Sequence, residues 1–191
     1  MDGTSSSGKS VLLRELVKFA QQQQLQSVLL DLKGCLALDE LFETLALDVE
    51  SKTLPKFHSA NGSQRKAALL KDLESLAQPL LLGLDTYQDV SADIADWIER
   101  QLLRRMEQSP GLVVVISGQK VPDRSRYPWA DWALAYTLPP IKEPEHWHDY
   151  AKQKWPKASI TKEHVEMLLH VSQGDPGQTS ALLSSFGDSR G

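Results

Sequence analysis

The sequence predicts a three-layer α/β/α domain with a mostly parallel sheet, followed by a small helical unit. Two observations carry this prediction. Short apolar runs alternate with amphipathic segments as far as about residue 140, which is the pattern of a parallel sheet covered by helices on both faces. Beyond that point only helical periodicity remains. We therefore expect one domain over residues 1–140 and a helical subdomain over residues 141–191.

The composition narrows the class of protein. The 191 residues are 41% hydrophobic and carry a formal charge of −4, as in an ordinary soluble globular protein. Affinity for a nucleic-acid backbone needs clustered Lys and Arg, so a nucleic-acid partner is not expected. Cys35 is the only cysteine, which excludes an internal disulfide and suits a reducing cytoplasm. No apolar run approaches the roughly 20 residues that span a bilayer, so no membrane association is expected.

The first half of the chain supplies helix, strand, helix, loop and helix in that order. Residues 9–22 have apolar side chains at helical spacing. The run SVLLDLKG that follows is apolar and closed by glycine, which is typical of a buried parallel strand, and helical periodicity returns over residues 37–49. Residues 50–63 are rich in turn formers and have no period, which predicts a surface loop. A helix is expected over residues 64–77.

The second half begins with another apolar run, PLLLGLDTY, which predicts a strand over residues 79–87. Ser91 precedes a long helix that ends near residue 109. The run LVVVISG is rich in β-branched residues and predicts a strand over residues 112–118. WALAYTLPP, residues 132–140, is a shorter candidate strand. Two or three short helices are expected to close the chain, at about 143–154, 161–172 and 177–186.

A phosphate-binding motif stands at the start of the chain. Gly3, Gly8, Lys9 and Ser10 match the pattern G-x-x-x-x-G-K-[ST] in full. In such a loop, successive backbone N–H groups converge on phosphate oxygens and the following helix directs its positive end at the same anion. Lys9 is expected to reach the β- and γ-phosphates, and the Ser10 hydroxyl to ligate Mg²⁺. The motif thus predicts a P-loop NTPase. The expected backbone contacts come from Gly3, Thr4, Ser5, Ser6, Ser7 and Gly8.

A carboxylate at the end of a predicted buried strand is the second signal. Asp85 closes LLLGLD, and parallel sheets place their sites at the carboxyl ends of their strands, so Asp85 and Ser10 are expected to face one Mg²⁺ ion. No acidic residue directly follows Asp85 to activate a water. Gln88 could orient a water, and Asp89 could act as a base, and the sequence leaves both open.

The strand after Asp85 ends in a third polar group. Ser117, Gly118 and Gln119 follow the run LVVVI, and a polar side chain here could lie beside the γ-phosphate and sense it. An ordinary strand-ending turn is the alternative.

Taken in order, the segments GTSSSGKS, LLLGLDTYQDV, VVVISGQ, YTLPPI and GDPG resemble the nucleotide-binding module of the STAND class of signalling ATPases, which are relatives of AAA+ proteins. The resemblance implies a five-stranded parallel sheet in the order 5-1-4-3-2 and a helical lid. It also implies that Pro176, in the sequence Gly174-Asp175-Pro176, contacts the adenine base. Gln88 and Gln119 depart from the family, where an acidic residue and an arginine are common, which implies weaker hydrolysis or weaker γ-phosphate sensing.

The function expected from this resemblance is a regulatory switch that binds ATP and Mg²⁺ and hydrolyses ATP slowly, if at all. Members of the class associate when ATP is bound, and effector and repeat domains are expected outside this chain. Three alternatives stay open: a small-molecule kinase, an AAA+-like ATPase acting on nucleic acid, and a degenerate nucleotide fold kept as a scaffold.

A strand should precede the phosphate loop, because the carboxyl edge of the sheet fixes its position, yet Gly3 is only two residues from the start. We therefore expect that Met1 is not the natural start of the domain, and that the chain is a fragment or a misassigned reading frame. Without that strand, residues 132–140 would lack a central neighbour.

Overall fold

The computed structural model describes Met1, residues 7–123 and residues 128–188. These residues divide into two compact units. Among the described residues, the first contains Met1 and Lys9–Tyr136, and the second contains Ser7, Gly8 and the chain from Thr137 onward. The boundary predicted at residue 140, where the alternation of strands and helices was expected to end, stays a prediction, as do the roles of the two parts in nucleotide binding.

A parallel sheet forms the centre of the first unit. Its three strands within the described residues are β1 (Gln26–Asp31), β2 (Leu80–Asp85) and β3 (Leu112–Ile116), in the spatial order β1-β2-β3. Both pairings are parallel, and every residue of β2 is buried. The order implied by the resemblance counts a first strand before the phosphate loop, so β1, β2 and β3 are its strands 2, 3 and 4. The observed order agrees with the part 4-3-2 of that implied order. A central strand buried on both faces explains why its sequence is a continuous apolar run.

Helices cover both faces of this sheet, which confirms the three-layer α/β/α class. On one face, α1 (Lys9–Gln22) packs Val17 and Ala20 against Leu81 of β2. On the other face, a larger cluster of buried side chains joins the strands to the helices that follow them. Those helices are α2 (Leu38–Asp48), α3 (Pro55–Ser59), α4 (Gln64–Leu73) and α5 (Ala92–Trp97).

The prediction of a surface loop over residues 50–63 is wrong. Pro55 opens the short helix α3, and its residue Phe57 is completely buried. The Phe57 ring meets Phe42 edge to face at a centroid distance of 5.8 Å, and its backbone N–H donates to the buried carboxylate of Asp72 at 2.8 Å. Five residues make little more than one helical turn, which is too short to show a periodicity.

Two helices differ in detail from the prediction. Helix α4 ends at Leu73, before the predicted residue 77. The long helix after Ser91 begins as predicted, with the Ser91 hydroxyl accepting from the N–H of Ile94 at 3.4 Å. After α5 its hydrogen bonding changes, first to a π-helix at Ile98–Leu102 and then to a 3₁₀-helix at Leu103–Gln108.

The predicted strand at residues 132–140 is also wrong. A 3₁₀-helix, Pro128–Trp132, enters this segment, and within residues 132–140 only Thr137 makes an isolated β-bridge. Leu134 is 98% exposed. A strand needs a neighbour for its backbone hydrogen bonds. At the carboxyl end of β3, the described residue on the outer edge is Met1, whose ammonium donates to the oxygen of Ile116 at 2.6 Å and whose oxygen accepts from Gly118 N at 3.1 Å.

Of the two or three helices predicted for the end of the chain, three are present. They are α6 (Pro144–Lys154), α7 (Lys162–Ser172) and α8 (Pro176–Asp188), and α7 starts at a side-chain cap from Thr161. Their shared core contains Trp147, Ala151, Val165, Leu169 and Leu183. Across the residues that the structure describes, no helix has both the length and the apolar character needed to span a bilayer.

Candidate functional site

The direction of α1 over the sheet locates the start of that helix. A Cβ atom on Gly83 would lie 3.3 Å from Leu13 Cδ1 and 3.1 Å from Leu29 Cδ1, so α1 passes close over β2 at this glycine. Further along α1, Val17 packs against Leu81, which precedes Gly83 in the strand. Residue numbers therefore rise along α1 in the direction in which they fall along β2, so the helix runs antiparallel to the strand.

This direction brings the amino end of α1 to the carboxyl end of β2. Lys9 precedes Leu13 by one helical turn, about 5–6 Å. Asp85 follows Gly83 by two strand residues, about 6.6 Å. Both Lys9 and Asp85 therefore lie towards the same edge of the sheet, where α1 directs the N–H groups of its first turn and the positive end of its dipole.

Four residues of the phosphate motif lie within the described part of the chain. Gly8 has φ +88°, a left-handed conformation that glycine adopts without strain. Lys9 opens α1, and both Lys9 and Ser7 are buried, while Ser10 is half-buried. Gly3, Thr4, Ser5 and Ser6 lie outside the described residues, so the contacts expected of them stay predictions.

Asp85 is a buried carboxylate at the tip of β2, 6% exposed. Its Oδ1 accepts a hydrogen bond from the N–H of Thr86 at 2.9 Å and another from the hydroxyl of Ser117 at the end of β3. Ser117 belongs to the turn from which a polar side chain was predicted to sense the γ-phosphate, and in the structure its hydroxyl donates to Asp85. Buried charge is costly unless it is hydrogen-bonded, and these two donors supply that stabilisation.

The residue after Asp85 has an unusual backbone. Thr86 has φ 62° and ψ 37°, a left-handed conformation that costs a β-branched residue about 1–3 kcal/mol. The strained turn is held by the N–H of Tyr87, which donates to the oxygen of Ser117 at 3.0 Å. In this conformation the Thr86 hydroxyl donates to Oδ1 of Asp31, the last residue of β1, at 2.8 Å.

The two residues proposed from sequence to handle water lie in the 3₁₀-helix Tyr87–Asp89. Gln88 Oε1 accepts from the N–H of Gln119 at 2.9 Å, which places both glutamines at the turn after β3. Asp89 is exposed. The roles in hydrolysis and γ-phosphate sensing predicted for Gln88, Asp89 and Gln119 stay predictions.

Pro176 belongs to the second unit, where it is the first residue of α8. Asp175 caps this helix by accepting from the N–H of Gln178 at 2.9 Å. Gly174 has φ +78°, and a Cβ there would lie 2.8 Å from the backbone oxygen of Ile141, so the bend before the helix requires glycine. The contact of Pro176 with adenine stays a prediction.

The donor set suits Mg²⁺ bound together with a phosphate. In the described ranges, no group of three or more His, Cys, Asp or Glu side chains is arranged to hold a metal ion by itself. Mg²⁺ needs less from the protein, because it keeps several waters and uses one or two carboxylates plus phosphate oxygens. The buried carboxylate of Asp85 and the hydroxyl of Ser10 are oxygen donors of that kind.

Asp31 is the residue at this edge that the sequence interpretation missed. It was included in the first predicted strand without a role. The signal was present, because the two strands SVLLD and LLLGLD both end in aspartate, and parallel strands bring their carboxyl ends to one edge.

Several solved structures have a fold similar to that of this chain. A Walker-type ATPase of Pyrococcus abyssi matches over 98% of this chain, with a TM-score of 0.63 and 15% identity. Cdc6p of Pyrobaculum aerophilum matches over 95%, with a TM-score of 0.65 and 15% identity. A STAND protein of Pyrococcus horikoshii with a tetratricopeptide repeat sensor matches over 92%, with a TM-score of 0.54 and 16% identity.

The chain has the fold of a P-loop, AAA+-like ATPase module. This confirms the fold class expected from the STAND and AAA+ resemblance, although three of the five implied strands are present among the described residues. The chain spans 64% of the Pyrococcus abyssi structure, 52% of Cdc6p and 25% of the STAND protein. No protein-family model matches the chain, and neither does any curated protein sequence.

Proposed function

We propose that this P-loop module binds ATP with Mg²⁺ at the carboxyl edge of its sheet and acts as a regulatory switch with slow ATP hydrolysis. The observation that carries the proposal is the antiparallel path of α1 over β2. It brings Lys9 and Ser10 to the strand end that bears Asp85.

In this proposal, some residues at the carboxyl edge of the sheet bind the phosphates of ATP and others bind Mg²⁺. The first turn of α1 offers N–H groups and a positive dipole end to the phosphates, and Lys9 adds a full positive charge. Ser10 and Asp85 would hold Mg²⁺ and its waters, while Ser117 and Thr86 fix the orientation of the Asp85 carboxylate. Mg²⁺ would neutralise charge on the β- and γ-phosphates when bound.

The switch role and a larger protein context rest on the resemblance to STAND proteins. The solved STAND protein carries a tetratricopeptide repeat sensor, and this chain matches a quarter of its length. We propose by analogy that effector and repeat domains accompany this module, that ATP favours its self-association, and that it works in the cytoplasm. Sedimentation with ATP and with ADP tests the association, which should appear with ATP alone.

Substitution of Lys9 tests the phosphate loop. Hydrogen bonds to charged groups are worth about 1.5–3 kcal/mol, so Lys9→Ala should weaken ATP binding by about 10- to 100-fold. Lys18→Ala is the matched control, because Lys18 lies on the same helix, is 63% exposed and pairs with Glu15. Titration with a fluorescent ATP analogue measures both. Equal affinity in Lys9→Ala and the parent would refute the phosphate-loop assignment.

Substitution of Asp85 tests the metal separately. Asp85→Asn keeps a side-chain oxygen for the donors from Thr86 and Ser117, so the fold should survive. The affinity gain that Mg²⁺ gives to ATP should shrink by about tenfold or more, because the charged ligand is lost. If the variant and the parent show the same Mg²⁺ dependence, Asp85 does not belong to the metal shell.

A small-molecule kinase is the second candidate, favoured by the absence of an acidic residue directly after Asp85. A kinase transfers the phosphoryl group to a substrate and needs no group that activates water. This function predicts ADP release that depends on an added acceptor. ADP release without any acceptor would contradict it.

A further inference from the structure

Asp31 and Asp85 form a facing pair at the tips of neighbouring parallel strands. The register places Asp31 directly beside Asp85, and the N–H of Leu32 donates to the oxygen of Asp85 at 3.0 Å. Adjacent strands are about 4.8 Å apart, so both carboxylates start from the same level of the sheet edge. Asp85 is buried and Asp31 is exposed.

Thr86 connects the two carboxylates. Its backbone N–H donates to Asp85 Oδ1 at 2.9 Å, and its hydroxyl donates to Asp31 Oδ1 at 2.8 Å. The N–H of Lys33 donates to the same Asp31 oxygen at 3.0 Å. Asp31 Oδ1 is thus held by two donors, which fixes an exposed carboxylate that would otherwise sample several rotamers.

The two water-handling candidates predicted from sequence lack this arrangement. The side-chain oxygen of Gln88 already accepts from the N–H of Gln119. Asp89 is exposed at the end of the 3₁₀-helix Tyr87–Asp89, and no hydrogen bond of its carboxylate is found among the described residues. Asp31 is the carboxylate that the fold both fixes and links to the proposed metal ligand.

We propose that Asp31 orients the water that attacks ATP, in place of an acidic residue directly after Asp85. This inference rests on the proposed ATPase function. Asp31 accepts a hydrogen bond from the water, whose oxygen bonds to the γ-phosphorus as the bond from that phosphorus to the bridging oxygen of ADP breaks. ADP leaves, and the protons of the water leave with the inorganic phosphate. Thr86 is a positioning residue that acts through Asp31.

Asp31→Asn in the 191-residue chain tests the inference. The amide oxygen can still accept from Thr86 and Lys33, so stability should be retained, while the charge that orients the water is lost. A positioned group acting on a reacting water contributes about 10²- to 10⁴-fold, so single-turnover hydrolysis should fall by about 100-fold. The affinity for Mg·ATP should stay within about threefold of the parent. Asp48→Asn, at an exposed aspartate on α2, controls for the change in charge.

A second readout does not depend on turnover. ADP with Mg²⁺ and aluminium fluoride imitates the transferring phosphoryl group with its attacking water, and such analogues bind more tightly than the ground state. The parent should gain affinity for fluorescent ADP when aluminium fluoride is added, and Asp31→Asn should lose at least tenfold of that gain. Thr86→Ala should lose part of it, and Thr86→Ser, which keeps the hydroxyl, should restore it.

The outcomes separate this inference from the proposed function. Parent protein that fails to bind Mg·ATP refutes the function, and the inference with it. Parent that binds Mg·ATP while Asp31→Asn hydrolyses it at the parental rate refutes the inference alone. So does Asp31→Asn binding Mg·ATP more than tenfold weaker with an altered Mg²⁺ dependence, since Asp31 would then belong to the metal shell. Parent that binds without any turnover also overturns it, because no water would be there to orient.

Discussion

Phe57 offers the sharpest test of the fold, because the sequence pattern and the structure disagree about it. The pattern of residues 50–63 predicts an exposed loop, whereas the Phe57 side chain is 0% exposed. Its ring contacts Phe42 at 5.8 Å, and the Arg65 guanidinium lies 4.8 Å from the ring centroid. Phe57→Ala removes both contacts and leaves a cavity between α3 and the core.

The expected loss of stability follows from these contacts. Replacing a buried Phe with Ala costs about 3–5 kcal/mol, which includes the cavity that remains. The cation–π contact falls near the upper end of the range for exposed pairs, about 1 kcal/mol, because the Arg65 side chain is only 15% exposed. We expect the free energy of unfolding to fall by about 4 kcal/mol. An exposed loop residue would change it by less than about 0.5 kcal/mol.

Urea unfolding followed by far-ultraviolet circular dichroism measures the effect. With a slope of about 2 kcal/mol per molar urea, the midpoint should fall by about 2 M. Hydrogen exchange of the β2 amides at residues 80–85 reports the first unit alone. Phe19→Ala is the matched control, since Phe19 is 59% exposed on α1 and should change stability little. A Phe57→Ala midpoint equal to that of the control would refute the buried position of α3.

Three further predictions concern single side chains. Asp72→Ala should cost about 1–3 kcal/mol in urea unfolding, because it leaves the N–H of Phe57 unpaired, and Asp72→Asn should recover most of it. Gly118→Ala should cost about 1–3 kcal/mol in thermal unfolding, since its Cβ would lie 2.5 Å from the oxygen of Lys120; an unchanged melting temperature would contradict this. Burial, and after it the Glu40 carboxylate, raises the pKa of the Cys35 thiol. Its thiolate fraction at pH 8 is therefore below that of a free thiol, and iodoacetamide should label it more slowly than glutathione. Faster labelling would contradict this.

Sequence patterns correctly predicted those helices and strands whose own residues determine their secondary structure. The strands β1 to β3 and the helix α1 are each long enough to show a period or an apolar run, and the sequence predicted all of them. The candidate strand at residues 132–140 failed because a strand depends on a neighbour elsewhere in the chain. Residue composition indicates that such a segment can be a strand, but it does not supply the partner that makes it one.

The same division applies to the site. The roles of Lys9 and Asp85 could be predicted because each residue belongs to a contiguous sequence pattern, the phosphate motif for Lys9 and the end of an apolar run for Asp85. Asp31 gains its place from the register of β1 against β2 and from a hydrogen bond to Thr86 across 55 positions of the chain. The left-handed backbone of Thr86 has no sequence signature, since glycine or asparagine is the residue expected there.

The hydrogen bond between Thr86 and Asp31 also bears on how the two strands find their alignment. β2 reads LLLGLD, and a slide of β1 by two residues along such a leucine-rich strand would keep apolar side chains on the same faces of the sheet. Apolar packing alone therefore discriminates weakly between the correct alignment and its neighbours. The slid pairing would carry Asp31 about 6–7 Å from the Thr86 hydroxyl, beyond the reach of a hydrogen bond. The hydrogen bond between Thr86 and Asp31 at the sheet edge thus favours the observed register of two apolar strands whose packing alone would tolerate a shift of two residues.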